Sequence, residues 1–319
     1  MTVRIYRSFL LGLLLSLSWA AYSAEGLDHH EITIWSGGAR LQGDIFKPAE
    51  LADDAPVPGI LLVHGWGGTK SHLNMAYAPQ LARLGFVVLT FDFRSWGESE
   101  GFLLTREPMK PVEDRTSVTV EADHIRLLVD PLRMLEDARA ALAYLAGEPG
   151  VQTDNIGIWG TSLGGGLALV TAANDSRIKA LVSQIGAVDN RANFAGIAAE
   201  QAQMWESQRA RGEIPPFPGP ESKTGELKGY ADYVALMRYD PAAYWDRLQI
   251  PTLVIDAKDE ELFDRMKNGA ALQKSLRARG ITSEYKVFPG KHYDIYRDAG
   301  YQKALKAAQD WFLTHLGGS

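Results

Sequence analysis

The sequence has no cysteine among its 319 residues. Without cysteine the protein can form no disulfide bond, no thiolate-ligated zinc site and no lipid attachment at an N-terminal cysteine. The H-E-x-x-H motif and comparable histidine clusters of metallohydrolases are also absent, and no internal repeat is visible. Stability must therefore come from a packed core, and no cofactor or metal is expected.

The sequence also has no excess of positively charged residues. The formal net charge is −6 at pH 7. An acidic balance of this size argues against nucleic acid or an anionic membrane surface as a partner. We therefore expect a small-molecule ligand and no nucleic acid.

Residues 1–23 are predicted to be a secretory signal peptide. Arg4 and Arg7 precede an apolar stretch that is too short for a comfortable membrane span, which needs about 20 residues. Ala21 and Ser23 suit signal peptidase, so we expect cleavage after Ser23 and a periplasmic or secreted protein. Residues 24–319 would form the mature domain, with no stable membrane insertion and a net charge of about −8 once the two arginines are lost. The alternative is an uncut N-terminal membrane anchor.

Buried strands alternate with helices along most of the chain. Unbroken apolar runs, which are typical of strands buried on both faces of a parallel sheet, occur at residues 59–63, 86–91, 156–159, 178–183, 252–256 and 285–288. An antiparallel hairpin precedes them at residues 31–36 and 41–46. Helices are predicted at about residues 74–84, 132–146, 264–279 and 298–316, and directly after residue 162. The pattern predicts an α/β protein whose mostly parallel eight-stranded sheet carries helices on both faces and binds ligands at the carboxyl ends of its strands.

Two long segments, at about residues 93–130 and 189–247, interrupt this alternation. Loops of this length usually carry function. The second segment is interpreted as a partly helical cap inserted over the pocket. It holds several large apolar and aromatic residues, among them Met204, Trp205, Phe217, Tyr230, Tyr233, Met237, Tyr239, Tyr244 and Trp245. The alternative is a surface excursion whose aromatic residues only anchor it to the core.

The most informative motif is Gly160-Thr161-Ser162-Leu163-Gly164, which lies between an apolar strand and a small-residue helix. A serine at such a turn takes a strained backbone conformation that exposes its hydroxyl above the strand end. The residues two before and two after it must then be small. Both of these positions are glycine, so Ser162 is the predicted nucleophile.

A serine hydroxyl needs a base within hydrogen-bond reach and an acid that orients the base. His292 is the predicted base because it follows the last predicted strand, at the carboxyl end of the sheet; a solvated loop histidine is the alternative. Asp259 is chosen as the acid, since it lies three residues beyond the strand end at Asp256. Glu260 is its nearest rival. Asp189 is a second rival, because an acid from either strand end could reach the same imidazole.

An acyl-transfer site also needs donors for the developing oxyanion. One predicted donor is the backbone N–H of Leu163, at the start of the helix after the nucleophile. The other is the backbone N–H of Trp66, in the loop His64-Gly65-Trp66-Gly67-Gly68 after a buried strand. His64 is interpreted as a brace for this loop or as a satisfied core histidine. The Trp66 ring would form an apolar wall that favours modest or aromatic acyl groups.

These segments together resemble the α/β-hydrolase superfamily. The motifs that carry the resemblance are HGWGG, FDFRSWGESEG, GTSLGGG, DAKDE and FPGKH, and the order Ser, Asp, His matches the superfamily. Within it the chain looks like esterases related to dienelactone hydrolase and the prolyl-oligopeptidase-like branch. The resemblance implies an α/β-hydrolase fold and a triad of Ser162, Asp259 and His292. In the second motif Ser95 replaces the family's usual glycine after arginine.

We therefore expect an exported serine hydrolase that cleaves carboxylic esters of small molecules through an acyl-enzyme. A peptidase, a thioesterase or an acyltransferase could use the same triad. A non-catalytic binding protein could retain the same fold. The intact serine turn, the late histidine and the late acid favour the enzyme.

Overall fold

The computed structural model describes residues 26–51, 55–114, 116–197 and 199–317. The predicted signal peptide and its cleavage site lie outside the described residues. The strands are β1 Leu27–Ser36, β2 Ala39–Pro48, β3 Val57–Val63, β4 Val87–Phe91, β5 Phe102–Thr105, β6 Ala122–Ile125, β7 Leu128–Val129, β8 Val151–Thr161, β9 Ile178–Gln184, β10 Tyr230–Ala231, β11 Thr252–Ala257 and β12 Ser283–Phe288. The helices are α1 Lys70–Ala76, α2 Ala78–Ala82, α3 Pro131–Ala146, α4 Leu163–Asn174, α5 Asn190–Asn193, α6 Ala199–Ala210, α7 Tyr233–Arg238, α8 Gly269–Ala278 and α9 Asp298–Leu316.

Eight strands form one sheet in the order β1-β2-β4-β3-β8-β9-β11-β12. The pairs β1–β2 and β2–β4 are antiparallel, and the other neighbours are parallel. The predicted mostly parallel eight-stranded sheet is therefore confirmed, as are the N-terminal hairpin and the six apolar runs. Because the parallel strands share one direction, the loops after β3, β8, β9, β11 and β12 meet at one edge of the sheet.

The core lies on both faces of the sheet. Along β3, Leu61 and Val63 pack on one face with residues of α3 and α4, whereas Ile60 and Leu62 pack on the other face with α1, α2 and α9. This alternation follows from the two-residue period of a strand. It explains why the strand is an unbroken apolar run, since both faces are covered.

Two helices differ from the sequence-based boundaries. The helix predicted at residues 74–84 is divided at Tyr77 into α1 and α2, because Pro79 enters the first turn of α2 and interrupts the hydrogen bonding of a continuous helix. The helix predicted from residue 264 begins at Gly269, after a turn in which Asp264 accepts hydrogen bonds from Lys267 and Asn268.

The two long segments contain short elements of their own. The first holds the β5–β6 hairpin and β7, and the second holds α5, α6, two short 3-10 turns, β10 and α7. The segments are joined by parallel pairing of β10 with β7. Among the described residues, no helix is long and apolar enough to cross a membrane.

Candidate active site

Ser162 lies at the turn between β8 and α4 and has a backbone conformation that few residues adopt. Its φ is 54° and its ψ is −124°. A Cβ on Gly160 would lie 2.1 Å from the carbonyl oxygen of Gly164, and a Cβ on Gly164 would lie 2.4 Å from the carbonyl oxygens of Val63 and His64. Both glycines are therefore required by close backbone approach, as the motif predicted.

Three hydrogen bonds hold this strained turn in place. The Ser162 N–H donates to the Gln184 carbonyl at 3.0 Å, and the Ser162 carbonyl accepts from Gly165 at 2.9 Å and from Ala187 at 3.0 Å. Such a conformation costs about 1–3 kcal/mol. The surrounding strands and helix compensate this cost and keep the partly exposed serine above the strand end.

The imidazole of His292 is oriented by Glu260. Its Nδ1 lies 2.7 Å from Glu260 Oε2 and 2.9 Å from Oε1, and the two side chains are 2% and 1% exposed. The backbone N–H of His292 also donates to Glu261 at 2.9 Å. A buried carboxylate on Nδ1 fixes the tautomer with the proton on that nitrogen, which leaves Nε2 as a lone-pair acceptor.

The choice of Asp259 as the acid partner was wrong, because the structure places Glu260 on the histidine. Beyond β11 the chain stays extended against the β12 loop, with Lys258 N–H donating to Phe288 O at 2.7 Å and Asp259 N–H donating to Gly290 O at 2.9 Å. Successive side chains of an extended chain point to opposite sides. Asp259 is exposed to solvent, and the next side chain turns inward.

The other acids near this edge have structural partners. The Asp189 carboxylate accepts from the Ala192 N–H at 3.1 Å and caps α5. Asp256 is buried at the end of β11, where it accepts a hydrogen bond from the Tyr285 hydroxyl at 2.9 Å. Burial raises the pKa of the Asp256 carboxyl to about 7.

The two predicted oxyanion donors both border the nucleophile. Among the described residues, no hydrogen-bond acceptor is found for the backbone N–H of Trp66 or of Leu163. Gly65 brings the first loop close to the serine, since a Cβ there would lie 2.9 Å from Ser162 Cβ and 2.8 Å from the Thr161 carbonyl oxygen. Trp66 and Leu163 also line the same cavity as Ser162, so both amides are candidates for oxyanion stabilisation.

The loop that carries Trp66 is braced from behind. His64 is buried, its Nδ1 lies 3.0 Å from the Gly65 carbonyl, and its ring packs edge-on against Phe93 at 4.7 Å. Burial lowers the pKa of the His64 imidazole, so the ring is kept neutral. The indole N–H of Trp66 donates to the Lys228 carbonyl at 2.9 Å, which ties the loop to the segment at residues 189–247.

Ser95 occupies the turn where the resemblance expects glycine. Its φ is 69°, in the left-handed region that glycine usually takes. Its hydroxyl accepts from the Leu128 N–H at 3.0 Å and lies 3.3 Å from the Leu128 carbonyl. The turn is therefore retained, and hydrogen bonds of the serine side chain compensate its strain.

Ser162 and His292 line the same cavity, whose volume is about 660 Å³. Most of its wall is apolar. Met75, Leu262 and Tyr293 line it and are 68%, 44% and 46% exposed, so they surround its mouth. No carboxylate from the described residues lines the cavity, and Arg297 is the only arginine or lysine among them that does.

The segment at residues 189–247 contributes to the cavity wall, but not through the aromatic residues that suggested a cap. Its lining residues are Asn190, Asn193, Phe194, Thr224, Leu227 and Leu236. The aromatic residues pack elsewhere: Trp205 lies against Tyr233 at 6.2 Å, and Phe217 lies against Phe102 at 5.1 Å. The segment therefore forms part of the cavity wall, while these aromatic residues pack against other parts of the protein.

Sequence reasoning missed three tyrosines that line the cavity, namely Tyr77, Tyr293 and Tyr296. The last two follow His292 within one short 3-10 turn, so their closeness to the predicted base was the available signal. Tyr77 had no such signal, because it lies at a break inside a predicted helix. Within the described ranges, no cluster of three histidine or acidic side chains is arranged to bind a metal ion.

A mostly parallel eight-stranded sheet with a strained serine between β8 and α4 is the α/β-hydrolase fold. The chain matches the model of the dienelactone hydrolase family over residues 45–204 and that of the prolyl oligopeptidase family over residues 132–319. The protein therefore belongs to the α/β hydrolases of the dienelactone hydrolase and prolyl oligopeptidase type, and it is a hydrolase of that type.

Relatives from Escherichia coli and Acinetobacter baumannii match most of the chain. An uncharacterized 31.7 kDa protein of Escherichia coli, from the traX-finO intergenic region, is 27% identical over 81% of this chain and 91% of its own length. The quorum-quenching protein AidA of Acinetobacter baumannii is 25% identical over 86% of this chain and 91% of its own length. Among solved structures, the hypothetical protein PA2218 of Pseudomonas aeruginosa superposes with a TM-score of 0.67 at 20% identity, covering 99% of this chain and 100% of that one. This last likeness concerns the fold.

Proposed function

We propose that this protein is a serine esterase that cleaves carboxylic esters through an acyl-enzyme intermediate. The observation that carries the proposal is the shared cavity: a strained, partly exposed serine and a histidine held by a buried glutamate both line it. The triad is Ser162, His292 and Glu260. Membership of two hydrolase families supports an enzyme over a binding protein.

The reaction begins when Ser162 Oγ attacks the ester carbonyl and His292 Nε2 takes the hydroxyl proton. Glu260 accepts the Nδ1–H throughout and stabilises the imidazolium that forms. The oxyanion is bound by the N–H groups of Trp66 and Leu163. When the carbon–oxygen bond breaks, His292 gives its proton to the departing alkoxide and the acyl group stays on Ser162. Water then attacks the acyl-enzyme while His292 takes one of its protons. When the bond between the acyl carbon and Ser162 Oγ breaks, His292 returns this proton to the serine oxygen and the carboxylic acid leaves.

The cavity wall favours neutral, apolar substrates. Apolar side chains make up most of it, and they extend to the mouth at Met75 and Leu262. A cationic substrate would lose hydration without gaining a carboxylate partner there. We therefore infer an ester with an apolar acyl or alcohol part.

Export to the periplasm or the medium is part of the proposal. It rests on the basic and apolar pattern of the first 23 residues together with the small residues Ala21 and Ser23. Expression of the full chain followed by N-terminal sequencing of the extracellular or periplasmic product tests it. A product that begins near Ala24 is expected, and retention of the intact N-terminus in the cytoplasmic fraction would contradict it.

The enzymatic proposal is tested with Ser162→Ala. The substitution removes the nucleophile from a partly exposed position, so hydrolysis of p-nitrophenyl butanoate is expected to disappear while the thermal unfolding midpoint stays nearly unchanged. A fluorophosphonate probe should label Ser162 in the wild-type protein, because labelling requires an activated hydroxyl. Retained turnover in Ser162→Ala, or absence of labelling in the folded wild-type protein, would favour the non-catalytic alternative.

A further inference from the structure

Three hydroxyl groups and one amide form a buried polar cluster that includes Thr161, the residue before the nucleophile. Thr161 Oγ1 lies 2.7 Å from the Tyr296 hydroxyl oxygen. Gln184 Nε2 lies 3.1 Å from the Tyr77 hydroxyl and 3.5 Å from Thr161 Oγ1. Tyr77, Thr161 and Gln184 are at most 4% exposed. We call this group the hydroxyl cluster.

The hydroxyl cluster has more donors than the protein can use. Three hydroxyls and one primary amide supply five polar protons, whereas three hydrogen bonds connect the members. In either orientation of the Gln184 amide, two protons therefore lack an acceptor within the described residues. The remaining Gln184 amide atom also has no partner. Buried polar groups without partners are rare in folded proteins and usually mark a functional site or a bound molecule.

The hydroxyl cluster belongs to the wall of the proposed active site. Tyr77, Thr161 and Tyr296 line the same cavity as Ser162 and His292, and Thr161 directly precedes the nucleophile. Burial raises the pKa of both tyrosine hydroxyls above the ordinary value, so both remain protonated. Leu73 and Ala76, which also line the cavity, are apolar. The cluster is thus a group of donors within a largely apolar wall.

We propose that the hydroxyl cluster is a binding subsite for a second oxygen atom of the substrate. The inference rests on the proposed esterase function and names its substrate class: an ester that carries, besides the scissile carbonyl, a neutral acceptor such as an ether, ketone or hydroxyl oxygen. The acceptor is neutral because no cation belongs to the cluster, and a buried anion needs one. In the structure the Gln184 amide nitrogen faces Tyr77 and Thr161, so the two surplus protons belong to the Tyr77 hydroxyl and to the Thr161–Tyr296 pair, and these protons bind the acceptor.

The test compares esters that differ by one oxygen atom. For the acyl side, p-nitrophenyl hexanoate is compared with analogues in which the methylene at carbon 4 or carbon 5 is replaced by oxygen. For the alcohol side, heptyl butanoate is compared with 2-butoxyethyl butanoate, in which oxygen replaces the methylene at carbon 3 of the alcohol. Rates of alkaline hydrolysis correct for intrinsic reactivity. An apolar wall would disfavour the oxygen analogue, because its oxygen loses hydration. A donor subsite instead raises its kcat/KM.

Variants then assign the preference to the hydroxyl cluster. The quantity compared is the ratio of kcat/KM for the oxygen analogue to kcat/KM for the parent ester. In at least one ester pair, this ratio should be about fivefold higher for the wild-type protein than for Tyr77→Phe or Tyr296→Phe, which is the usual effect of one neutral hydrogen bond. The matched control is Tyr301→Phe. It also removes a tyrosine hydroxyl that donates a hydrogen bond, to the Ala76 carbonyl at 2.6 Å, but Tyr301 is not part of the cavity wall. It should keep the wild-type ratio.

A merely structural role would lower the unfolding midpoint of the two phenylalanine variants and leave the ratios unchanged in every pair, which would overturn the subsite. Calorimetric binding of the same ester pairs to Ser162→Ala gives a second readout that does not depend on turnover. Equal affinity for parent ester and oxygen analogue in all pairs would overturn the subsite as well. The esterase proposal would be contradicted by a different result, namely that the wild-type protein hydrolyses none of the esters.

Discussion

Replacing Glu260 by glutamine tests whether Glu260, rather than Asp259, is the acid partner of His292. The substitution keeps the size and the hydrogen-bonding oxygen of the side chain but removes its charge. Both partners are almost fully buried, and Nδ1 lies within 2.9 Å of both carboxylate oxygens. The imidazolium that forms when His292 takes the serine proton therefore loses its nearest counter-charge.

The expected loss follows from the distance and the burial. Two unit charges about 4 Å apart attract each other by about 4 kcal/mol at the effective dielectric constant of about 20 that suits protein sites. Because about 1.4 kcal/mol corresponds to a tenfold change in rate, kcat should fall about 1,000-fold. KM should change little, since Glu260 is not part of the cavity wall.

The assay is hydrolysis of p-nitrophenyl butanoate by Glu260→Gln, with Asp259→Asn as the matched control. Asp259 is exposed, whereas Glu260 is not. The kcat of Asp259→Asn should therefore stay within about twofold of the wild-type value. Circular dichroism and the unfolding midpoint establish that both variants fold. If Glu260→Gln keeps more than a tenth of kcat, or if Asp259→Asn loses as much, the assignment of the acid is wrong.

Three further predictions follow from the cavity and the core. Gly65→Ala should reduce kcat by about 100-fold, because its Cβ would lie 2.9 Å from Ser162 Cβ and would displace the oxyanion loop. Gly196→Ala, with nothing within 4 Å of the added Cβ, is the control, and equal kcat in the two variants would refute the argument. The pKa of Asp256 is raised to about 7 from an ordinary 3.8. Between these two pH values the native state holds a proton that the unfolded state has lost. The free energy of unfolding should therefore decrease by up to about 4 kcal/mol as the pH rises from about 4 to above 7. Urea unfolding at pH 5 and pH 8 should show about 2.7 kcal/mol of this decrease, the part that falls between these two pH values. Asp256→Asn should abolish it, and an undiminished decrease in that variant would assign it to other groups. Finally, kcat/KM for p-nitrophenyl esters should rise about fourfold per added acyl methylene, since each buried methylene contributes about 0.8 kcal/mol, and a flat series from acetate to hexanoate would argue against acyl binding in the apolar cavity.

The sheet could be predicted from the sequence because its parallel strands are buried on both faces and their apolar runs are continuous. The serine turn could be predicted because close backbone approach excludes side chains at Gly160 and Gly164. Each feature leaves a direct mark on residue type. The glycines could be recognised in the sequence without knowing that Gly164 lies against the carbonyls of Val63 and His64.

The acid partner of His292 could not be chosen with the same security. Asp259 and Glu260 are neighbours, and the choice between them depends on which side of the extended chain faces inward after β11 ends. Which side chain faces inward is set by the hydrogen bonds of Lys258 and Asp259 to the β12 loop, some 30 residues away along the chain. The aromatic residues of the segment at residues 189–247 present the same difficulty, because residue type does not separate a side chain that anchors a segment from one that lines a pocket.

The hydrogen bond from the Trp66 indole to the Lys228 carbonyl has a consequence for how the enzyme treats bulky molecules. The backbone amide of Trp66 is the proposed oxyanion donor, and its ring is fastened to the covering segment. A ligand large enough to push that segment outward at Lys228 would pull the tryptophan with it and disturb the donor. We therefore expect ligand size to affect the rate of turnover through the Trp66 ring, so that oversized esters bind but are hydrolysed slowly.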